Sequence, residues 1–313
     1  MKQTLNRLVL TIPVVWLVVS LVFLLIHLVP GDPILQMLGE GATPADIASL
    51  RHLYGLDQPL WKQYFHYWAG VLQGNLGISI RLHETVARLI LSRYPYTIAL
   101  TVAALVLALA LTLSVPAGIF AAVRRGRRAD QVLSVVSLFG LSVPAIALGP
   151  ILILVFSILL GWLPVSGANA TGTGSIDWHY LVLPAVTMGT SLAAILTRMV
   201  RTAMLEELGQ DYIRTARAKG LSEFAVVCRH ALPTAMVPIV TIVGLQFGAL
   251  LAGAIVTETI FSWPGLGRLV VTAISNRDYA LVQGCLLAIG LTYVLVNLLT
   301  DLVYRWVNPR MRV

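Results

Sequence analysis

The chain has 313 residues, 58% of them hydrophobic and only 12% charged, with a formal net charge of +8. The apolar share exceeds the roughly 45–50% of soluble domains. It is also concentrated in six blocks, too long and too many for one soluble core, which excludes an ordinary soluble protein.

The blocks cover about residues 8–29, 97–123, 132–161, 181–200, 234–257 and 281–304. A hydrocarbon core of about 30 Å needs about 20 apolar residues per helix. Their Ala, Leu and Val richness fits helices, and no segment shows the alternation of a membrane barrel. The predicted fold is therefore an all-α membrane protein with six transmembrane helices. Block one follows Lys2 and Arg7, exceeds 20 apolar residues and ends in "HLVPGDP" without a small-x-small cleavage site. It reads as an uncleaved anchor helix. His27, the histidine within a span, reads as a structural hydrogen-bonder.

Residues 30–96 form the longest stretch outside the blocks. Thr43, Pro44 and Asp46 place an N-cap, a first-turn proline and an early acid, and Gly55 stops that helix. A second helix starts near Pro59, with Trp61, Tyr64, Phe65 and Trp68 on one face. Such a face either receives a partner or substrate or packs on the ends of the bundle, and both readings stand. Pro116, Pro144, Pro150, Pro184 and Pro238 fall in or near spans and bend them.

Basic residues set the orientation. With the N-terminus inside, 15 of the 22 Lys and Arg residues fall on the cytoplasmic side and 7 outside. Both termini are expected in the cytoplasm, and the positive charge is a topology signal rather than a nucleic-acid signal. Cys228 and Cys285 then lie on opposite sides, so no disulfide framework is expected. Neither has metal-ligand spacing.

Between the fourth and fifth spans lies "DYIRTARAKGLSEFAVVCRHALP", residues 211–233. A helix over Glu206–Lys219 is predicted, with Gly220 as its stop. Ser222 caps a second short helix with Glu223 in its first turn, and Leu232-Pro233 closes it. Ala216 and Gly220 leave one low side flanked by Arg214 and Arg217. That suits shallow docking into a partner's groove, or else the loop is a solvated amphipathic one.

In the fifth span, Gly244, Gly248 and Ala252 make a small-residue stripe for helix packing. Thr241, Gln246 and Glu258 are candidate translocation-path residues, although an amide such as Gln246 equally suits a helix–helix hydrogen bond. The spans otherwise hold almost no acids, so an ion-driven carrier is disfavoured and energy must come from elsewhere. Asp301 and Arg305, four apart, read as a local ion pair. "PGLGRL" at 264–269 reads as a tight turn in a short outer re-entrant or gate-like segment. No phosphate loop is present, and no H-E-x-x-H or Ser/His pair supports an intramembrane enzyme.

The charged loop resembles the signature of permease subunits of ATP-binding-cassette (ABC) importers. Arg214-Thr215-Ala216, Gly220 and His230-Ala231-Leu232-Pro233 occupy its places. The first two positions and the isoleucine differ from the general motif, but "DYIRTARAKG" is similar to the dipeptide, oligopeptide and nickel permeases. So are "PGDP", "GLDQPL", "GNLGIS", "GWLPVSG", "TETIFSWPGLGRL", "RDY" and "NPRMR" along the chain. Asn75 and Pro233-Thr234 depart from the subgroup without touching the architecture.

The resemblance implies a type I importer fold in a bacterial inner membrane. It implies an anchor and periplasmic segment over 1–94, a five-span core over 95–304 and a tail over 305–313. The loop 201–232 would be a coupling helix seated in an ATPase subunit, through Arg214, Thr215, Ala216, Arg217, Gly220 and His230. Implied partners are a second homologous permease, two ATPase subunits carrying ATP and magnesium, a periplasmic binding protein and the lipid bilayer. This chain itself would bind no cofactor and perform no catalysis. Di- and oligopeptides are the expected cargo, with nickel chelates or glutathione as the alternative.

Overall fold

A computed structural model describes residues 2–28, 43–53, 55–111, 114–170 and 174–307. The "PGDP" and "NPRMR" segments lie outside the described residues. In chain order the described helices are α1 (Lys2–Leu28), α2 (Pro44–Leu53), α3 (Leu60–Leu72), α4 (Val86–Val106), α5 (Ser114–Val123), α6 (Arg128–Ser142), α7 (Ala145–Leu152), α8 (Trp178–Leu208), α9 (Asp211–Ala218), α10 (Glu223–Ala225), α11 (Leu232–Ile260), α12 (Leu266–Ser275) and α13 (Tyr279–Val307). Wider π-helical turns continue α4 over Leu107–Leu111, α7 over Ile153–Leu159 and α10 over Val226–Ala231.

Among the described residues, four helical stretches are long and apolar enough to cross a bilayer: Val86–Val123, Trp178–Leu208, Glu223–Leu251 and Tyr279–Thr300. The block at 132–161 is a pair, Arg128–Ser142 and Ala145–Leu159, bent by 98°, and gives a fifth span if the pair is one. Pro144 explains the bend. It has no N–H to give, and it forces Val143 into an extended conformation (φ −88°, ψ 112°). The remaining block is α1, with its apolar segment Val9–Leu25.

Packing divides the chain into two compact units, Met1–Pro95 with Pro264–Leu295, and Tyr96–Trp263 with Val296–Val313. The partition is discontinuous in sequence, a different kind of division from the linear segments above.

In the first unit, Val19, Val22 and Phe23 of α1 turn inward while Val9, Ile12, Trp16 and Leu21 stay exposed, a face suited to lipid. Thr43 opens α2 as expected, its carbonyl accepting from the Ile47 amide at 3.1 Å. Gly55 follows its end with φ +65°. The aromatic stripe of α3 divides. Tyr64 bonds Ser20 of α1 at 2.7 Å and meets the Phe23 ring edge-on at 5.3 Å. Trp61 and Phe65 remain 60% and 66% exposed. Packing and open surface thus each use half of the stripe. Asp278, within the "RDY" motif, ties the 79–82 turn to the start of α13, accepting from Ser79 Oγ at 2.5 Å and the Leu281 amide at 3.2 Å.

In the second unit α8 is central. Leu192, Leu196, Val200 and Met204, at helical spacing, are buried along it. One cluster joins Leu100, Leu196 and Trp263, and another joins Val200, Met204, Ile213 and Ile239. Within a bilayer such contacts gain from dispersion and close approach rather than from escape from water. Gly244 shows the approach: a Cβ there would fall 1.9 Å from Thr300 Cγ2 of α13. Gly248 on the same stripe is buried. The Ala252 side chain lies outside the described residues.

Candidate coupling site

The helix expected over 206–219 is broken. α8 stops at Leu208, Gly209 caps it, and Gln210 turns extended (φ −75°, ψ 153°) before α9 starts at Asp211. The break lets Ile213 and Ala216, three apart on α9, face the cluster containing Met204, Val226 and Val227. Ile213 is fully buried and Ala216 is 7% exposed. The expected low notch is therefore not shared: Ala216 seats α9 on this chain's own core, and Gly220 stands in the open.

The end of α9 follows a Schellman pattern. The Gly220 amide donates to the Arg217 carbonyl at 2.9 Å, and the Leu221 amide to the Ala216 carbonyl at 3.4 Å. Gly220 has φ +79°, and a Cβ there would meet nothing within 4 Å. Glycine is needed for the backbone conformation, not for space inside the chain. Ser222 then caps α10, its Oγ accepting from the Ala225 amide at 3.4 Å. Arg217 spans the bend and grips Glu223 through two bonds, at 2.7 and 3.2 Å. Arg214 pairs with Asp211 at 3.4 Å, and Tyr212 donates to Glu207 at 2.5 Å.

Leu232-Pro233 does not close the second helix. The helix runs on through the wider turn Val226–Ala231 into α11, and Pro233 sits inside this continuous helix just after that turn. His230 is half-buried in that turn, and Thr215 is exposed on α9. The outward surface mixes charge with apolar bulk. Arg214, Arg217 and Lys219 are exposed, and Phe224 is 79% exposed.

The loop is braced from behind. Arg201 at the end of α8 grips the buried Asp130 of α6 through Nε at 2.6 Å and a terminal nitrogen at 2.9 Å. Asp130 also accepts from the Gly126 amide at 2.9 Å, which fixes the basic turn between α5 and α6.

Of the path candidates, Gln246 is half-buried, and the Thr241 side chain lies outside the described residues. Glu258 is fully buried and accepts from Thr97 Oγ1 at 2.6 Å. Its carbonyl takes the Trp263 amide at 2.8 Å, while the Trp263 indole donates to the Tyr96 carbonyl at 2.9 Å. Glu258 therefore ties helices together inside the second unit. The Asp301–Arg305 pair lies outside the described side chains. His27 is the structural hydrogen-bonder expected, between the Phe23 carbonyl at 3.1 Å and Gln63 Oε1 at 3.3 Å.

Residues 114–313 match the family described as "Binding-protein-dependent transport system inner membrane component", and residues 1–101 match the N-terminal membrane component of the same systems. The chain belongs to this family. It is an inner-membrane permease subunit of an ABC importer, a multi-pass protein of the bacterial inner membrane.

The glutathione transport system permease protein GsiC of Escherichia coli K12 is 43% identical over 312 residues, covering 100% of this chain and 99% of its own. GsiC of Shigella boydii serotype 4 is 42% identical over the same coverage. Solved inward-facing structures of the MetNI methionine ABC transporter share the fold, at a TM-score of 0.56 and 20% identity over 70% of this permease and 96% of theirs.

Three features of the site were not visible in the linear sequence. Asp130 and Arg201 are 71 residues apart. Arg217 and Glu223 are six apart, a spacing that pairs only because the glycine bend folds the chain back. Phe224 reads as an ordinary apolar residue in sequence and stands out only by its exposure.

Proposed function

We propose that this permease forms half of a translocation path driven by separate ATPase subunits, and that α9 with the bend after it is the element those subunits grip. The reading rests on one observation. A short helix is seated inward by Ile213 and Ala216, stopped by Gly220 and braced by Arg217–Glu223, and it presents cations beside a bare phenylalanine. Such a rigid, shallow projection can transmit displacement without deforming. Phe224 supplies a desolvating anchor of the kind that dominates interface energy, and Arg214 supplies charge. The partners are a second homologous permease, two ATPase subunits and a periplasmic binding protein, with both termini in the cytoplasm and six spans in all. ATP and magnesium belong to the ATPase subunits.

The cargo best supported is glutathione or a peptide of similar size. Relatives 43% identical over the whole chain carry glutathione in their names. This moves the cargo from di- and oligopeptides in general toward the alternative.

Uptake into vesicles holding the complete complex tests both readings. Glutathione should be accumulated in preference to dipeptides and nickel–histidine. Gly220→Val, or Arg214→Glu with Phe224→Ala, should lower cargo-stimulated ATPase and uptake together by about tenfold or more, the scale of losing one interface anchor. Normal transport by these variants removes the coupling assignment. Preference for nickel–histidine removes the cargo assignment alone.

A further inference from the structure

The first unit holds a cavity of about 550 Å³, with His27, His52, Lys62, His66, Tyr67 and Gln283 in its wall. The importer mechanism makes no use of it. His27 lies in the last turn of α1, at the end of the apolar block of residues 8–29, which sets it close to the depth of lipid headgroups. On α3, the exposed Trp61 and Phe65 flank the wall, an arrangement typical of the membrane interface.

The wall is rich in donors. Gln63 and His27 are engaged with each other, and Gln63 Nε2 also donates to the Gln58 carbonyl at 2.7 Å. Lys62 and His66 stand exposed on the same face of α3, the ammonium of Lys62 5.5 Å from the Trp61 ring centroid. Tyr67 lines the cavity; its hydroxyl is buried without a hydrogen-bond partner, and the neighbouring Trp68 indole nitrogen is buried unpaired as well. A buried donor left unmet by the protein calls for an acceptor from outside it. No carboxylate is found among the described residues lining the cavity. His52 is already taken by Asp57 at 2.8 Å, which leaves the Lys62 ammonium, the His66 imidazole and the Tyr67 phenol as the donors that favour an oxyanion.

We propose that this cavity binds the phosphate headgroup of an anionic phospholipid, on the side of the membrane where α1 ends. Lys62 and Tyr67 hold the phosphodiester, and the carboxamides of Gln58 and Gln283 suit glycerol hydroxyls. Bilayer depth and the flanking exposed aromatics favour a lipid over a soluble anion.

The test is binding of dioctanoyl phosphatidylglycerol to the full-length chain in a neutral detergent, read by tryptophan fluorescence. Dioctanoyl phosphatidylcholine and inorganic phosphate serve as comparison ligands. Phosphatidylglycerol should bind tighter than either. Tyr67→Phe with Lys62→Gln should raise its apparent Kd about tenfold, the loss expected for a charge-assisted hydrogen bond. The phenylalanine keeps the ring, and an unchanged Tm without lipid shows that the variant is folded. Equal binding of phosphatidylcholine, or a variant Kd within about twofold of the parent, overturns the proposal. Inorganic phosphate binding as tightly as phosphatidylglycerol shows a free-anion site and overturns it equally.

Discussion

Two short amphipathic helices outside the spans, α9 and α3, solve the same problem in opposite ways. α9 meets its needs locally. Ile213 and Ala216 are buried, Arg217 is paired with Glu223, and the glycine stop satisfies its last carbonyls. α3 does not: Tyr67 and Trp68 bury donors with nothing to receive them, while Trp61 and Phe65 stand bare. An element that transmits force must hold its shape before its partner arrives. An element with unmet polar groups is completed by its surroundings. Polar deletions should therefore be costly around α9 and nearly free at Tyr67 and Trp68 of α3.

The largest effect is expected at the seat of α9. Ile213→Ala empties a fully buried site in an aqueous-side cluster and should cost about 2–4 kcal/mol. Hydrogen exchange of residues 211–218 should accelerate in step. Unchanged protection there means that α9 is not held by this contact. Next comes the brace. Asp130→Asn leaves Arg201, itself 30% exposed, without its anion and should cost about 1–3 kcal/mol, less than a fully buried pair because water reaches the guanidinium. Exchanging the two residues should recover part of the loss, and a double variant no better than the worse single one shows that the pair itself contributes nothing.

How much of this was legible before the structure follows from which interactions are local. The cap at Thr43, the stops at Gly55 and Gly220 and the cap at Ser222 depend on three or four neighbouring residues, and each stands where local chemistry placed it. The blocks were legible because bilayer thickness fixes their length. What failed was continuity. Helix propensity ran through Gly209-Gln210, yet tertiary burial of Ile213 turned the chain there. Pro144 looked like one of several bending prolines but carries a 98° break. Pro233 looked like a stop, yet the helix continues past it, with the wider turn Val226–Ala231 just before it. Glu258 was readable as an unusual acid but not as a fully buried one, since its partner Thr97 is 161 residues away.

A smaller effect sharpens the contrast from the α3 side. Tyr67→Phe removes a buried hydroxyl that has no partner. In lipid-free detergent it should leave Tm unchanged or raise it, by the equivalent of about 1 kcal/mol at most, because a desolvation cost disappears and no bond is lost. A clear fall in Tm means that the hydroxyl has a partner within the protein, and the difference between the two helices shrinks accordingly.

The smallest effect lies at the turn that leads into α3. His52 Nδ1 and Asp57 Oδ2 are 2.8 Å apart across Gly55, with side chains 79% and 40% exposed. The hydrogen bond that His52 donates to Asp57 raises the His52 pKa, and the same bond lowers that of Asp57. For the raised base, the contribution is complete below the ordinary histidine value of about 6.5 and is lost as pH rises through its raised value. For the lowered acid, it is complete above the ordinary aspartate value of about 3.9 and is lost as pH falls through its lowered value. The turn is thus firmest between these limits. Screening makes the energy too small for a melting experiment, so the imidazole resonance is the proper readout. Asp57→Asn should return the His52 titration to the ordinary range. A titration that does not move shows that the turn is held by its backbone, through the Leu56 amide on the Arg51 carbonyl at 2.9 Å, and that the His52–Asp57 contact is dispensable.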